Sequence, residues 1–538
     1  MKAAFSVEDL ISFYNGYNAV AERVDKIKLH HMHIKTLIDG AIEKWVQERK
    51  DIILTGNPGD GKTHLLNILQ DRISTDSAYI EKDASQRDTI TILQAWMQKK
   101  QEKIPFLLAI NHAPLRDLAA GALQYQSLGY LNHILEEIDN TTYYDQPSKT
   151  GLPNTIVIDL NQREVVTHAI VKEVIAKLCE PILSLPCRYC PPRKCPMEYN
   201  AQALSNQSVL QNLVTLLTLV TRRGFHTTMR DLIGLLAYII TGNKLCEERW
   251  QPIQTDDGNA STPTFEDYTY YNLLFNGRSR LFEAIQATFD PAHHSDLESD
   301  TKLWKGVLCD GWLFPDPVVR APGNLEELCI LKRRYFFEHE HDTEKLLERM
   351  LPTTERKFSE LIEGKLDDPS EVENLVGMIN TFYAPLKVRS MDHNYRLRLW
   401  NSHRYSAGNP PGYFAMRSIP ADHLTIYRPK ANPKLDQAIA IRQDHVLLAV
   451  QDWQPGDPSL RIDWLMYQAL TSADKGTPIE VQPFYILRRL DLFLRCLGPE
   501  AGGPRHIENV EWSDHKHRTI VSVRINRNTQ SYEQEHSL

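Results

Sequence analysis

Short apolar runs alternate with segments of helical periodicity along the first third of the chain. Four short runs predict strands: 51–55, 78–83, 105–111 and 155–161. Between them, apolar residues recur at every third or fourth position and predict helices: 64–73, 89–103 and 115–139. Strands that alternate with helices form a parallel sheet with helices on both faces. The pattern therefore predicts an α/β fold for this part of the chain.

The pattern changes in the remainder of the chain. Residues 1–50 and 265–380 carry apolar side chains at helical spacing and predict helices. After about residue 381, short runs of alternating apolar and polar residues predict strands, for example at 395–400 and 445–450. Helices are predicted between some of these strands, as at 484–496. We therefore expect an α+β domain at the C-terminal end.

A glycine-rich turn separates the first predicted strand from the helix that follows it. The spacing Gly56-x4-Gly61-Lys62-Thr63 matches the phosphate-binding P-loop pattern. Glycines let backbone N–H groups turn towards a phosphate, the lysine supplies a positive charge, and the threonine hydroxyl can ligate Mg²⁺. The alternative is a glycine-rich turn that binds nothing. The predicted ATP-binding residues are Gly56, Asn57, Pro58, Gly59, Asp60, Gly61, Lys62, Thr63 and His64.

Polar residues follow two of the predicted strands. Asn111 ends the third strand, and Asp159 and Asn161 lie at the end of the fourth. The carboxyl ends of parallel strands form the ligand-binding edge of such a sheet. We therefore expect Asp159 to help hold Mg²⁺ and Asn111 to position water or contact the γ-phosphate. The alternatives are a turn-capping aspartate and a strand-end asparagine.

A third candidate group begins a predicted helix further along the chain. Thr227 or Thr228 is placed to cap a helix that runs to Gly242. Arg230 falls in the first turn of this helix, from which its side chain could reach over a bound triphosphate. Together with Lys62, Asp159 and Asn111, Arg230 completes the predicted catalytic set.

The order of these segments resembles a known group of proteins. The P-loop, the run IVIDLN and an arginine at the start of a lid helix resemble an AAA+-type ATPase. The segments LLAINHAPLRDL, IVIDLNQRE, TTMRDLIGLLAYIITG and YYNLLFNG, spread over about residues 50–310, resemble the DptF family. That family is the ATPase-like component of the bacterial restriction system that depends on DNA phosphorothioation.

The resemblance implies a function and partners. It implies an ATP-binding and ATP-hydrolysing subunit that works with DptG-like and DptH-like proteins against DNA without phosphorothioate. One departure is that Asn111-His112 stands where an AAA+ protein usually has an Asp-Glu pair. A nucleotide-stabilised scaffold without hydrolysis and an AAA+-like ATPase of another DNA-defence system therefore remain alternatives.

The resemblance and the patterns together imply five regions. A helical linker over 1–50 precedes a three-layer αβα ATPase core over 51–185. A cysteine-containing knuckle and a helical lid follow over 186–253. The helical domain covers 265–380 and the α+β domain covers 381–538.

Three cysteines lie close together before the predicted lid. Cys187, Cys190 and Cys195 have a spacing that can direct thiolates to one Zn²⁺ ion, with Cys179 as a possible fourth ligand. The alternative is a proline-rich loop with free thiols, because a single C-x2-C pair lacks the partner pair of most zinc sites. The sequence thus predicts a structural zinc site in addition to the ATP and Mg²⁺ sites.

Composition and charge bear on partners and localisation. The 538-residue chain has a formal net charge of −8, which excludes a uniformly basic surface. Between residues 385 and 430, however, eight basic residues face only two acidic ones, with aromatic residues among them. This patch could grip DNA, or it could be a solvated strand face or a surface for an acidic protein. The start of the chain has no secretory pattern, no membrane span is predicted, and we expect a cytoplasmic protein.

Overall fold

The fold was analysed in a computed structural model of the chain. The structure describes these residues: 5–15, 26–74, 77–135, 138, 152, 154–184, 195–249, 253–254, 260–261, 263–306, 312–314, 321–339, 343–383, 393–403, 412–430, 439–454, 457–477, 481–497, 508–513, 518–526 and 531–537. They form two compact units. Unit 1 comprises 1–221, 225–351 and 430–442, and unit 2 comprises 222–224, 352–429 and 443–538.

Unit 1 begins with three helices and continues as an alternation of strands and helices. The helices are α1 (Val7–Asn15), α2 (Lys26–Met32) and α3 (Leu37–Gln47). The alternating part consists of β1 (Asp51–Thr55), α4 (Lys62–Gln70), β2 (Tyr79–Glu81), α5 (Thr89–Gln101), β3 (Phe106–Ala109), α6 (His112–Ala122) and β4 (Thr155–Asp159). The four strands form one parallel sheet in the order β2-β3-β1-β4. The predicted α/β fold is confirmed for this region.

The side chains of β1 alternate between two apolar layers, as a strand requires. Ile52 and Leu54 pack with residues of α3 and α4 on one face of the sheet, whereas Ile53 packs with residues of α5 and α6 on the other. Because both faces are covered, the strand is buried along its whole length. This burial fixes the position of the loop that follows the strand.

A buried carboxylate ties the start of this strand to its neighbours. Asp51 Oδ1 accepts a hydrogen bond from the Phe106 N–H (2.8 Å), and Oδ2 accepts one from the Trp96 indole N–H (3.1 Å). Burial raises the pKa of Asp51, which these two hydrogen bonds partly offset. The contacts join β1, β3 and α5 at the edge of the sheet opposite the loop.

The rest of unit 1 is mainly helical. Its helices are α7 (His168–Ser184), α8 (Pro196–Leu204), α9 (Gln207–Arg222), α10 (Met229–Thr241), α11 (Tyr270–Asn276), α12 (Arg280–Thr288), α13 (Leu297–Trp304), α14 (Leu325–Glu338) and α15 (Thr343–Met350). Two short strands, β5 (Ile253–Gln254) and β6 (Ala260–Ser261), pair with each other. Many of these helices share one large apolar core with α1. Residues 439–442 also belong to this unit, because the Glu164 N–H donates to the Ala440 carbonyl oxygen (2.7 Å).

Unit 2 is an α+β structure. Its helices are α16 (Thr353–Glu363), α17 (Asp368–Tyr383), α18 (Trp464–Asp474) and α19 (Phe484–Cys496). Its strands are β7 (Arg396–His403), β8 (Gly412–Pro420), β9 (Leu424–Tyr427), β10 (His445–Val450), β11 (Ser459–Asp463), β12 (Glu508–Ser513), β13 (Arg518–Asn526) and β14 (Ser531–Ser537). They form two antiparallel sheets in the orders β14-β13-β12-β8-β7 and β11-β10-β9.

The predicted helix over 115–139 is divided in the structure: α6 ends at Ala122 and a short 3-10 turn spans Gly129–His133. The chain passes from unit 1 to unit 2 near residue 351, and α16 and α17 share the apolar core of unit 2 with its strands.

Candidate functional site

The glycine-rich loop joins the carboxyl end of β1 to the start of α4. Gly56, Gly59 and Gly61 have φ angles of +142°, +101° and +92°, a region that side chains other than glycine rarely adopt. A Cβ atom on Gly56 would lie 2.6 Å from Asp60 Oδ2, so a larger residue would not fit there. The first N–H groups of α4 have no acceptor within the helix and, with the helix dipole, favour an anion.

The ammonium group of Lys62 is held inside this loop. Its Nζ donates to the carbonyl oxygens of Gly56 (2.9 Å) and Asn57 (2.8 Å), and the side chain is buried. An ammonium group has three N–H donors, so these two contacts leave one for an incoming oxygen. Burial lowers the pKa of Lys62, while the carboxylates of Asp60, Asp159 and Asp83 act in the opposite direction. The loop therefore fits a phosphate at this position.

Thr63 lies beside the end of β2. Its hydroxyl donates to the Lys82 carbonyl oxygen (3.3 Å). The residue after Lys82, Asp83, lines a cavity that extends from the glycine-rich loop. Sequence reasoning missed Asp83, although it is the last residue of a predicted strand, because the sequence alone does not order the strands. Hydroxyl and carboxylate oxygens are typical Mg²⁺ ligands, so Thr63 and Asp83 have the chemistry of a magnesium site.

The carboxylate of Asp159 lies at the end of β4 and is buried. Its Oδ1 accepts hydrogen bonds from His112 Nε2 (3.0 Å) and from the Asn161 N–H (3.0 Å). The hydrogen bond to Asp159 raises the pKa of His112. Both contacts use the same oxygen, which leaves Oδ2 as the atom that could approach a metal. The turn-capping alternative for Asp159 is thus present in the structure, but it uses only one of the two oxygens.

Asn111 occupies the N-cap position of α6, directly after β3. Its N–H donates to the Ser85 hydroxyl oxygen (3.0 Å). Its side chain makes no capping hydrogen bond to the first turn of the helix. The residue lines the same cavity as Lys62. Because β3 is hydrogen-bonded to β1, Asn111 follows the strand that neighbours the P-loop strand.

The start of α10 lies against the loop. Thr228 caps this helix: its hydroxyl accepts from the Asp231 N–H (3.1 Å), and Asp231 bonds back to the Thr228 N–H (3.0 Å). Gly242 ends the helix in the left-handed conformation, as the sequence predicted. The Arg230 N–H donates to the Gly59 carbonyl oxygen (3.3 Å), and Arg230 lines the cavity. Arg230 therefore lies against the glycine-rich loop.

A cavity of about 410 Å³ extends from the loop. The lining is mixed in polarity. The glycine-rich loop and the polar residues around it contribute Pro58, Gly59, Asp60, Gly61, Lys62, Thr63, Asp83, Asn111, Arg163 and Arg230. Apolar lining residues include Phe13, Met32, Ile34, Ile38, Leu65, Met229 and Ile233, and His33, Thr36, Asp39 and His64 also line the cavity. A ligand that carries both anionic groups and an apolar ring matches this mixed lining.

His64 connects the start of α4 to the segment between α2 and α3. Its Nε2 lies 3.2 Å from His33 Nδ1, and His33 Nε2 lies 2.7 Å from Asp39 Oδ1, although this imidazole is not aligned for a linear hydrogen bond. Burial, followed by the neighbouring His33, lowers the pKa of His64 to about 4. His64 is therefore neutral near pH 7 and packs as a polar wall of the cavity.

The cysteine prediction falls partly outside the described residues. Cys187 and Cys190 lie there, whereas Cys195 precedes α8 and Cys179 is buried within α7. Burial raises the pKa of Cys179 to about 12, which disfavours the thiolate form that binds zinc. Within the described part of the chain, no group of three or more His, Cys, Asp or Glu side chains is placed to hold a metal ion.

The basic patch in 385–430 is also described only in part. The side chains of Lys387, Arg389, Arg404 and Arg417 lie outside the described set. Of the others, Arg398 is buried. Arg428 forms an ion pair with Asp368, with Nη2 and Oδ1 2.7 Å apart. These two arginines contribute to folding contacts and leave a smaller patch than the sequence suggested.

No helix within the described ranges is both long enough and apolar enough to cross a membrane. Neither the protein-family models, nor the curated proteins, nor the solved structures include a match to this chain.

Proposed function

We propose that unit 1 binds a nucleoside triphosphate, with ATP as the expected ligand. The observation that carries this proposal is the placement of Lys62, whose ammonium is held by two loop carbonyls at the start of α4 and lines the cavity. A lysine, backbone N–H groups and a helix N-terminus directed at one point are suited to a phosphate chain. The apolar side chains among the lining residues of the cavity suit a base.

The same site supports Mg²⁺-dependent ATP hydrolysis. The Thr63 hydroxyl, Asp83 and Asp159 are the oxygen ligands available for the metal, and Arg230 is placed to neutralise charge on the phosphates. Asn111 is the candidate for orienting water. These roles use the catalytic set expected from the sequence, with Asp83 added as a second carboxylate.

The wider role follows from the sequence resemblance to the DptF family. In this proposal the chain is a cytoplasmic ATPase subunit of a phosphorothioation-dependent DNA restriction complex, with DptG-like and DptH-like partners. DNA contact through the remaining basic residues of 385–430 and structural zinc at Cys187, Cys190 and Cys195 belong to the same proposal. An AAA+-like ATPase of another DNA-defence system is the alternative for this wider role.

One observation favours a second function, a nucleotide-stabilised scaffold that does not hydrolyse ATP. The chain leaves β3 through Asn111 and His112 rather than through carboxylates, and His112 occupies one oxygen of Asp159. In this case ATP would stabilise the folded protein, more strongly the tighter it binds, without being turned over.

Phosphate release separates the two functions. The purified chain is assayed with Mg²⁺ and ATP, alone and then with DNA and the products of neighbouring genes. We expect ATP binding in each case and phosphate release in at least one. Binding without release under every condition supports the scaffold, and the absence of binding contradicts both functions.

A further inference from the structure

Asp60 is an acidic residue inside the loop that we propose binds phosphate. Its side chain is almost entirely inaccessible to solvent, with 1% of the residue exposed. A buried carboxylate next to an anion-binding site opposes the binding of that anion unless its charge is compensated. The contacts of Asp60 therefore bear directly on the affinity of the loop for phosphate.

Asp60 is held by two other segments of unit 1. Its Oδ1 faces His226 Nε2 at 2.8 Å, and its carbonyl oxygen accepts a hydrogen bond from Arg163 Nη2 (2.8 Å). Within the loop, Oδ2 accepts the Asn57 N–H (2.6 Å). Because His226 Nε2 faces a carboxylate oxygen, it is the nitrogen that carries the donated proton. His226, three residues before α10, thus donates a hydrogen bond to this carboxylate, which also interacts electrostatically with Lys62 and Arg163.

The residues that follow His226 lie against Gly59, the loop residue before Asp60. The Arg230 N–H donates to the Gly59 carbonyl oxygen (3.3 Å), and the Thr228 hydroxyl lies 3.0 Å from the point where a Cβ of Gly59 would lie. Thr228 is also the capping residue of α10. A shift of Gly59 and Asp60 would therefore be transmitted to the start of α10 and to the residues before it, through the Gly59–Arg230 hydrogen bond and the Asp60–His226 contact.

We propose that Asp60 and His226 form a positioning pair that compensates the loop carboxylate and couples occupation of the phosphate loop to helix α10. This proposal rests on the proposed function, because it assigns the pair to nucleotide binding. Neither residue needs to touch the nucleotide. His226 acts through Asp60, and Asp60 acts through the shape and charge of the loop.

Binding of ATP with Mg²⁺ to the full chain tests the compensation. His226→Ala leaves the charge of Asp60 without its imidazole donor, and we expect ATP affinity to fall by about 5- to 150-fold, the usual range of coupling between sites. His226→Gln keeps an N–H donor and should restore most of the affinity. Asp60→Asn combined with His226→Ala should bind more tightly than His226→Ala alone, because the uncompensated charge is gone. His293→Ala, which alters a mostly exposed histidine near Asp290, is the matched control.

Amide hydrogen exchange tests the coupling separately. In the ligand-free protein, His226→Ala should speed exchange in residues 225–241 and 56–61. With ATP and Mg²⁺, the unmodified protein should gain protection in both segments, and His226→Ala should gain it only in the loop. A merely structural role for His226 would not separate the two responses.

The outcomes distinguish a failure of the positioning pair from a failure of the proposed function. Wild-type affinity in His226→Ala, or a loss of affinity that Asp60→Asn does not relieve, overturns the compensation. Protection of 225–241 that persists in His226→Ala overturns the coupling. If the unmodified protein binds no ATP, the proposed function fails, and the ligand-free exchange still decides whether the pair holds α10 against the loop. If His226→Ala unfolds, His226→Phe, which keeps the volume of the ring without an N–H donor, replaces it in both comparisons, alone and combined with Asp60→Asn.

Discussion

His112 Nε2 lies 3.0 Å from Oδ1 of Asp159, at the edge of the sheet that also carries the phosphate loop. This contact orients the carboxylate and does not involve its second oxygen, Oδ2. Asp83, two residues after β2, lines the cavity that Lys62 also lines. Two carboxylates from different strands thus flank Lys62, and both are close enough to act electrostatically on its ammonium group.

The carboxylates predict a metal-dependent difference in binding. Asp83→Asn and Asp159→Asn should each weaken binding of ATP in the presence of Mg²⁺ by roughly tenfold, because a neutral amide is a poorer magnesium ligand than a carboxylate. Binding of ATP in EDTA should change much less. Titration calorimetry of both variants under the two conditions measures the effect. Asp117→Asn, on the exposed face of α6, is the control.

A magnesium site at these residues is contradicted if both variants bind ATP alike with and without the metal. If only one variant loses the metal effect, that residue is the ligand and the other carboxylate has an electrostatic role.

Arg230 predicts discrimination between triphosphate and diphosphate. Arg230→Ala should weaken ATP binding by about 10- to 150-fold, the range expected for a lost charge-assisted contact, and should affect ADP less. Arg230→Lys should be intermediate, because lysine keeps the charge but not the planar donor geometry. Competition between ATP and ADP measures the ratio. Equal losses for both nucleotides would show that Arg230 does not approach the terminal phosphate, and Arg72→Ala provides a comparison at an exposed arginine.

The lowered pKa of His64 predicts an acid-sensitive stability. The folded-state pKa is about 4, below the ordinary value of 6.5, so stability is fully present above pH 6.5 and is lost as pH falls towards 4. The loss attributable to His64 is up to about 3 kcal/mol. His64→Gln cannot take up the proton and should show a flatter profile over this range. Denaturant unfolding of both proteins at several pH values tests this, and parallel profiles would contradict it.

The contact between Asp51 and Trp96 predicts a cost for a small change. Trp96→Phe keeps an aromatic ring but removes the indole N–H, which leaves a buried carboxylate oxygen without that donor. The free energy of unfolding should fall by about 1–3 kcal/mol. Trp304→Phe, at a side chain that is 49% exposed, should cost much less. Urea denaturation measures both, and similar values for the two variants would show that the hydrogen bond contributes little.

Some of this site could be predicted from the sequence because its signals are local. An apolar strand, positive-φ glycines, Lys62 and the first turn of α4 lie within twenty neighbouring positions. The capping of α10 by Thr228 and Gly242 is equally local. In each case, backbone geometry restricts the residue types directly.

The remaining features depend on contacts between distant residues. The strand order that brings Asp83 to the edge is not encoded in any single segment. The same is true of Asp60 and His226, which are 166 positions apart. The predicted helix over 115–139 has continuous apolar periodicity, yet the chain turns after Ala122. Periodicity reports which residues are buried and does not report where a helix is interrupted.

The most direct test of the central claim is ATP binding by the unmodified protein and by Lys62→Ala, measured by titration calorimetry with Mg²⁺. We predict that the unmodified chain binds ATP and that Lys62→Ala binds at least about tenfold more weakly, because the variant loses the ammonium group that faces the phosphates. Equal affinity in the two proteins, or no ATP binding by the unmodified chain alone and with its partners, would contradict the account.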